Sequence, residues 1–142
     1  VSENSILLKS MKKHKAIKIE TGPFPKYATD NMPMALALLT KTPGTSFISE
    51  KIFSNRFMAV PELNRIGAKI TIENNNATVV GQKNLYGADC ISSDLRTTFS
   101  IILGALAAKG TSKIHRIYHG LRGYDGLERK LKSLGVLIKS KN

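Results

Sequence analysis

One succession of features occurs twice along this chain, and that repetition limits its fold more than any other property. Residues 28–70 and 92–138 can be laid side by side. Asp30 falls opposite Asp94, and each opens a mostly apolar segment. Gly-Thr-Ser follows at 44–46 and again at 110–112. A short alternating run leads to Ile52-Phe53 in one copy and Ile117-Tyr118 in the other, and an arginine comes next, Arg56 or Arg122. Each copy closes on an amphipathic segment and an Ile-Gly-Ala or Leu-Gly-Val step. The offset grows from 64 residues (30 to 94) to 68 (66 to 134), so small insertions separate the copies.

Periodicity and punctuation predict the elements. Strands are expected over 15–20, 45–49, 68–73, 77–81, 88–91, 111–114 and 136–139, and helices over 30–42, 55–66, 94–109 and 124–134. The Asn74-Asn75-Asn76 run suits a hairpin turn, because asparagine tolerates left-handed backbone. Pro33 falls in a first helical turn, where a missing N–H costs nothing. The helices are of two kinds. In 94–109, Leu95, Phe99, Ile102, Leu103 and Leu106 line one side and Ile101, Ala105 and Ala108 the other. Met32, Met34, Leu36, Leu38 and Leu39 behave likewise in the first copy. A helix apolar all round is expected to be buried all round. By contrast, Leu127, Leu131 and Leu134 form a single stripe backed by Glu128, Arg129, Lys130 and Lys132. The pattern is therefore α/β, with units of about 15–81 and 87–139 that place helices at the centre and sheets outside.

Bulk properties narrow the function. The 142 residues, 42% hydrophobic, make one domain's worth of chain that can bury a core without disulfides or metals. Cys90 is the single cysteine, so no internal disulfide forms and a reducing compartment is expected. Apolar runs stop near ten residues, too short for a bilayer, and no signal-peptide pattern opens the chain. It starts at Val1, as a processed chain or a fragment does. The net charge of +12 favours anionic partners. Most lysines lie singly, with Lys12, Lys13 and Lys15 the one tight group, which fits a solvated surface better than a nucleic-acid patch. Aromatic residues are 6% with no Trp, leaving little for base stacking.

The charged groups at the helix starts have plain and functional readings. Asp30, or Thr29 beside it, and Asp94 are natural N-caps. Arg96 opposes the helix dipole, and residues two apart do not face each other, so it either points to solvent or meets a separate anion. Arg56 and Arg122, at matching places before helices, suit phosphate or carboxylate. Together they suggest a shared rim of anion-binding and acid–base groups. His14, His115 and His119 have no zinc spacing with Cys90. Neither a P-loop nor a GxGxxG is present, and no cofactor or metal is called for. Cys90, on an apolar strand, reads as a buried structural thiol.

The segments TGPFPKYATDNMPM, GTSFISEKIFSNRFMAVPELNRIGAKI, SSDLRTT and RIYHGLRGYDGLERKLKSLG resemble the C-terminal part of the UDP-N-acetylglucosamine 1-carboxyvinyltransferase family, over about residues 15–139. The NRF..VPEL and RIYH..RGY motifs set it apart from the shikimate-pathway enolpyruvyl transferases. The resemblance implies an inside-out α/β barrel of βαβαββ repeats, of which two of one domain's three are present. It implies a cytoplasmic enzyme that opens bacterial peptidoglycan synthesis. The enolpyruvyl group of phosphoenolpyruvate passes to the 3-hydroxyl of UDP-N-acetylglucosamine and phosphate leaves, by addition and then elimination. On that resemblance Asp30 is the general base at the sugar hydroxyl. Ile52 is a backbone contact to the nucleotide sugar, with Arg56 near the same ligand. Arg122 holds the phosphate of phosphoenolpyruvate, and Asp94 and Arg96 gate the cleft. The family's reactive cysteine belongs to the other domain, and Cys90 does not inherit its role. The remainder of the enzyme would be this chain's partner. The isolated chain is expected to be inactive, to expose core surface and to self-associate. A basic nucleic-acid-binding module and a purely structural domain are the alternatives.

Overall fold

The computed structural model describes residues 4–7, 9 and 14–140, and Lys12 and Lys13 lie outside them. The first half is a βαβαββ unit: β1 (Lys18–Glu20), a 3-10 turn (Thr29–Asn31), α1 (Met32–Leu39), β2 (Thr45–Ser49), α2 (Val60–Arg65), β3 (Lys69–Glu73) and β4 (Asn76–Val80). Its sheet runs β1-β2-β4-β3. The β1–β2 pair is parallel, as a helical crossover requires, and the other pairs are antiparallel. The β3–β4 hairpin turns at Asn74, whose φ is 53°, so the asparagine reading holds. The second half repeats the opening of that unit with β5 (Asp89–Ile91), α3 (Leu95–Leu106), β6 (Lys113–His115), α4 (Tyr118–Leu121) and α5 (Leu127–Ser133), β5 and β6 again being parallel.

Strand alternation sets the core. Ser46, Ile48, Ala77, Val79 and Ile70 point inward and are buried, while Phe47 faces out. Met32, Leu36 and Leu39 of α1 and Val60 and Leu63 of α2 close over that inner face. The far side of α1 meets α3, where the Ser100 hydroxyl donates to the Pro33 carbonyl at 2.5 Å. Gly104 lets α3 approach α2, since a Cβ there would lie 2.8 Å from Leu63 Cδ2. A second cluster, Ile66, Leu85, Cys90 and Ile101, lies under β5 and β6. Helices are thus inside and strands outside, the α/β arrangement anticipated. Burying one such leucine contributes about 1.5–3 kcal/mol.

Several expectations need correction. No strand forms over 136–139. The Val136 N–H bonds back to the Leu131 carbonyl at 3.1 Å, closing α5. A strand needs a neighbour for its ladder, and no described residue provides one. Helix α5 starts at Leu127 rather than 124, because Gly126 enters it in left-handed conformation at φ 59°. The segment Tyr118–Leu121 is a short helix where no element was expected, and Gly120 seats it against Thr98 of α3. The central helices are not buried all round: Leu38 is 63% exposed and Leu106 44%.

Candidate functional site

The site is built where the starts of α1 and α3 come together. Asp94 is the N-cap of α3, and one carboxylate oxygen accepts from the Arg96 and Thr97 N–H groups at 2.9 and 3.1 Å. Burial raises its proton affinity, but these bonds and the hydroxyls of Thr97 and Ser93 outweigh that and hold it below the usual carboxylate range. The plain reading of Asp94 is therefore correct, and a cap of this kind has a measurable value. Asp94→Ala is expected to cost about 1 kcal/mol of stability and Asp94→Asn a few tenths, read by denaturant melts. Equal losses for the two variants would contradict the capping role.

Asp30 behaves differently despite its matching place in the repeat. It caps nothing: α1 begins at Met32, after the 3-10 turn, and Asn31 at its N-cap makes no side-chain capping bond. The Asp30 carboxylate instead lies 2.7 Å from Arg96 Nε and 3.5 Å from Arg56 Nη2. The anion that Arg96 requires is thus Asp30, reached across the α1–α3 contact. The hydrogen bond from Arg96 holds Asp30 below its ordinary pKa, partial burial opposes this, and the charges of Arg96 and Arg56 add to the lowering. Asp30 keeps 59% of its side chain exposed, so this ionised group remains open to a ligand.

Arg56 does not sit at a helix start. It lies in the loop before α2, its guanidinium 4.4 Å from the centre of the Phe53 ring. Its Nε is buried and has no hydrogen-bond partner among the described residues. An unpaired buried donor is costly unless something else accepts from it. Asp30, Ile52, Arg56 and Arg96 line one open cleft of about 430 Å³, together with Gly22, Ala28, Thr29 and Phe53. Asp94 lines a smaller depression beside it, again with Arg56 and Arg96. Arg122 lines neither. It is exposed at the C-terminal end of α4, and its side chain makes no hydrogen bond or ion pair among the described residues. Cys90 is fully buried, and burial first, then the charge of Glu62, pushes its thiol up to about 11, so it is no nucleophile here.

Sequence reading missed Glu50. This carboxylate is completely buried and has no ion-pair partner among the described residues. One oxygen accepts from the Ile52 and Phe53 N–H groups at 2.8 and 3.1 Å, and the other from the Thr29 hydroxyl at 2.8 Å. Burial pushes its pKa up, but these bonds and the Thr21 hydroxyl reverse that, and the net direction is down. A signal was present. Period-two alternation puts Ser46, Ile48 and Glu50 on the same inward face of the strand segment.

A cleft walled by a carboxylate and two guanidiniums, on central helices wrapped by outer sheets, defines a class that the comparisons identify. Residues 1–131 match the EPSP synthase (3-phosphoshikimate 1-carboxyvinyltransferase) family, and the chain belongs to it. Within it the chain is 50% identical to UDP-N-acetylglucosamine 1-carboxyvinyltransferase of Campylobacter jejuni, over 97% of this chain and 33% of that protein. It is 48% identical to the enzyme of the same name from Pelagibacter ubique, over the whole chain and 34% of the relative. The chain thus spans about a third of the length of the curated relatives it matches. Among solved structures, the enolpyruvyl transferase NikO from Streptomyces tendae superposes with a TM-score of 0.82 at 26% identity, over 91% of this chain and 30% of that one. EPSP synthase from Acinetobacter baumannii shares the fold, with a TM-score of 0.63 at 18% identity over 89% of this chain and 28% of that one. No helix among the described residues is long and apolar enough to cross a membrane.

Proposed function

We propose that this chain is part of a cytoplasmic enolpyruvyl transferase that acts on phosphoenolpyruvate and UDP-N-acetylglucosamine and supplies peptidoglycan synthesis. The observation that carries the reading is the convergence of Asp30, Arg56 and Arg96 in one cleft. The names of relatives at 45–50% identity supply the nucleotide sugar and the carboxyvinyl group transferred to it. Residues 15–81 and 87–139 are then two repeats of one domain, with the remainder of the enzyme completing the cleft.

In this reading Asp30 removes the proton of the sugar 3-hydroxyl. The freed oxygen adds to C2 of phosphoenolpyruvate while C3 gains a proton. Loss of phosphate from C2 and of a proton from C3 restores the double bond. Two guanidiniums line the cleft, and either suits an anionic group of a substrate. Such a group would compete for Arg56 and Arg96, loosen their hold on Asp30 and raise its proton affinity as the sugar arrives. The Ile52 contact is made through backbone. Asp94 and Arg96 stand at the cleft mouth, Arg96 through its pair with Asp30. Arg122 is assigned to the phosphate of phosphoenolpyruvate. It lines no part of the cleft formed here, so that role requires the rest of the enzyme to close over it.

The acid limb of kcat/KM tests the Asp30–Arg96 pair. Asp30 must be ionised to act, so its low pKa sets activity loss on acidification below the ordinary aspartate range. Arg96→Ala removes the largest cause of that lowering, and the acid limb should move to higher pH. A limb that stays put in this variant would remove Asp30 from the rate profile.

The 142-residue chain alone is expected to release no phosphate with both substrates present, and Leu38, Leu106, Leu134 and Leu137 are expected to drive self-association. Measurable turnover, or a monomer by light scattering at high concentration, would contradict these two expectations respectively.

A further inference from the structure

We propose that Glu50 is a positioning residue for the nucleotide sugar, aiming the Ile52 carbonyl into the cleft and tying it to the turn that carries Asp30. The proposal rests on the substrate reading above. The Ile52–Phe53 bond is trans, because the one cis peptide among the described residues is Phe24–Pro25. In a trans peptide the N–H and the preceding C=O point in opposite directions. The Phe53 N–H donates to Glu50, which is fully buried. The Ile52 carbonyl therefore points away from that buried carboxylate, on the side where Ile52 and Phe53 line the cleft.

No described hydrogen bond uses the Ile52 carbonyl, while its own N–H is occupied by Glu50 at 2.8 Å. What Ile52 offers a ligand is consequently an acceptor, suited to an amide N–H or a hydroxyl. The second Glu50 oxygen takes the hydroxyl of Thr29, the residue before Asp30. Thr21, fully buried, accepts from the Lys51 N–H through its hydroxyl and braces the same loop. One carboxylate thus sets the spacing between a ligand acceptor and a candidate base that lie 22 residues apart in sequence (30 to 52).

An ion is not what this geometry needs. A glutamine could accept the two N–H groups through its oxygen and donate its NH2 to the Thr29 hydroxyl, which can also accept. An alanine leaves both N–H groups free to turn the peptide plane. The test uses the full-length enzyme with steady-state kinetics in both substrates. Glu50→Ala is expected to raise KM for UDP-N-acetylglucosamine about tenfold, leaving KM for phosphoenolpyruvate within about threefold, and Glu50→Gln should stay close to wild type in both. A folded Glu50→Ala with unchanged KM for the nucleotide sugar would overturn the proposal. So would equal effects on the two KM values, or Glu50→Gln as impaired as Glu50→Ala.

Should Glu50→Ala fail to fold, Thr29→Val decides. It releases the Asp30 turn while leaving the Ile52 carbonyl in place, so kcat should fall about fivefold or more with KM for the nucleotide sugar nearly constant. Wild-type kcat in Thr29→Val would then overturn the inference. Absence of turnover by the wild-type enzyme would instead count against the substrate reading, which separates the two failures.

Discussion

Asp30→Asn in the full-length enzyme should lower kcat by about 10²–10⁴-fold, the range a general base contributes. KM for phosphoenolpyruvate should change little, because both guanidiniums remain. The fold should be untouched. Asp30 makes no capping bond and keeps 59% of its side chain exposed, so it holds little of the structure together. The asparagine amide oxygen still accepts from Arg96, which keeps the cleft in shape. Loss of activity at an unchanged melting temperature is therefore the expected signature. Activity within tenfold of wild type would move the base elsewhere.

The second large effect is structural and lies far from the cleft. Gly81 follows β4 where the chain crosses the end of α1. A Cβ built there would stand 1.8 Å from the Thr42 carbonyl oxygen and 2.6 Å from its carbon. Both are backbone atoms, so no side chain can turn aside. The crossing is fixed on both flanks, by the Gly81 N–H to Gly44 and the Gln82 N–H to Thr40, at 2.9 and 2.6 Å. Gly81→Ala must break one of these bonds or shift β4 away from α1. The expected loss is about 3 kcal/mol or more, at the upper end of overpacking costs. Chemical denaturation read by circular dichroism checks it, and a loss under about 1 kcal/mol would mean that the crossing yields easily.

How much of this was legible in the sequence differs by element. The repeat foretold two units of strand, central helix and strand, because apolar periodicity and Gly-Thr-Ser steps are local signals, whereas the parallel pairing of β1 with β2 and of β5 with β6 is seen only in the fold. The Asp94 cap was equally local. The strand expected over 136–139 failed because a strand is a relation between two segments, and periodicity describes only one. Leu38 and Leu106 were read as buried because their helix is apolar all round, yet burial depends on a neighbour that the described residues do not supply.

The site was legible in its members and not in its wiring. Asp30 and Arg96 stand 66 positions apart in sequence (30 to 96), and the α1–α3 contact that joins them is tertiary. The repeat itself misled here, since equivalent aspartates turned out to hold different work: one caps a helix and the other meets two arginines. Glu50 escaped notice because a glutamate closing a strand ordinarily faces water. Only its parity with Ser46 and Ile48 marked it as inward.

The most direct test of the account is phosphate release by the full-length protein carrying this chain. Release should require phosphoenolpyruvate and UDP-N-acetylglucosamine together, with one phosphate freed per enolpyruvyl group transferred, and Asp30→Asn should slow it about 10²–10⁴-fold. No release with both substrates present, from a folded full-length protein, would contradict the assignment.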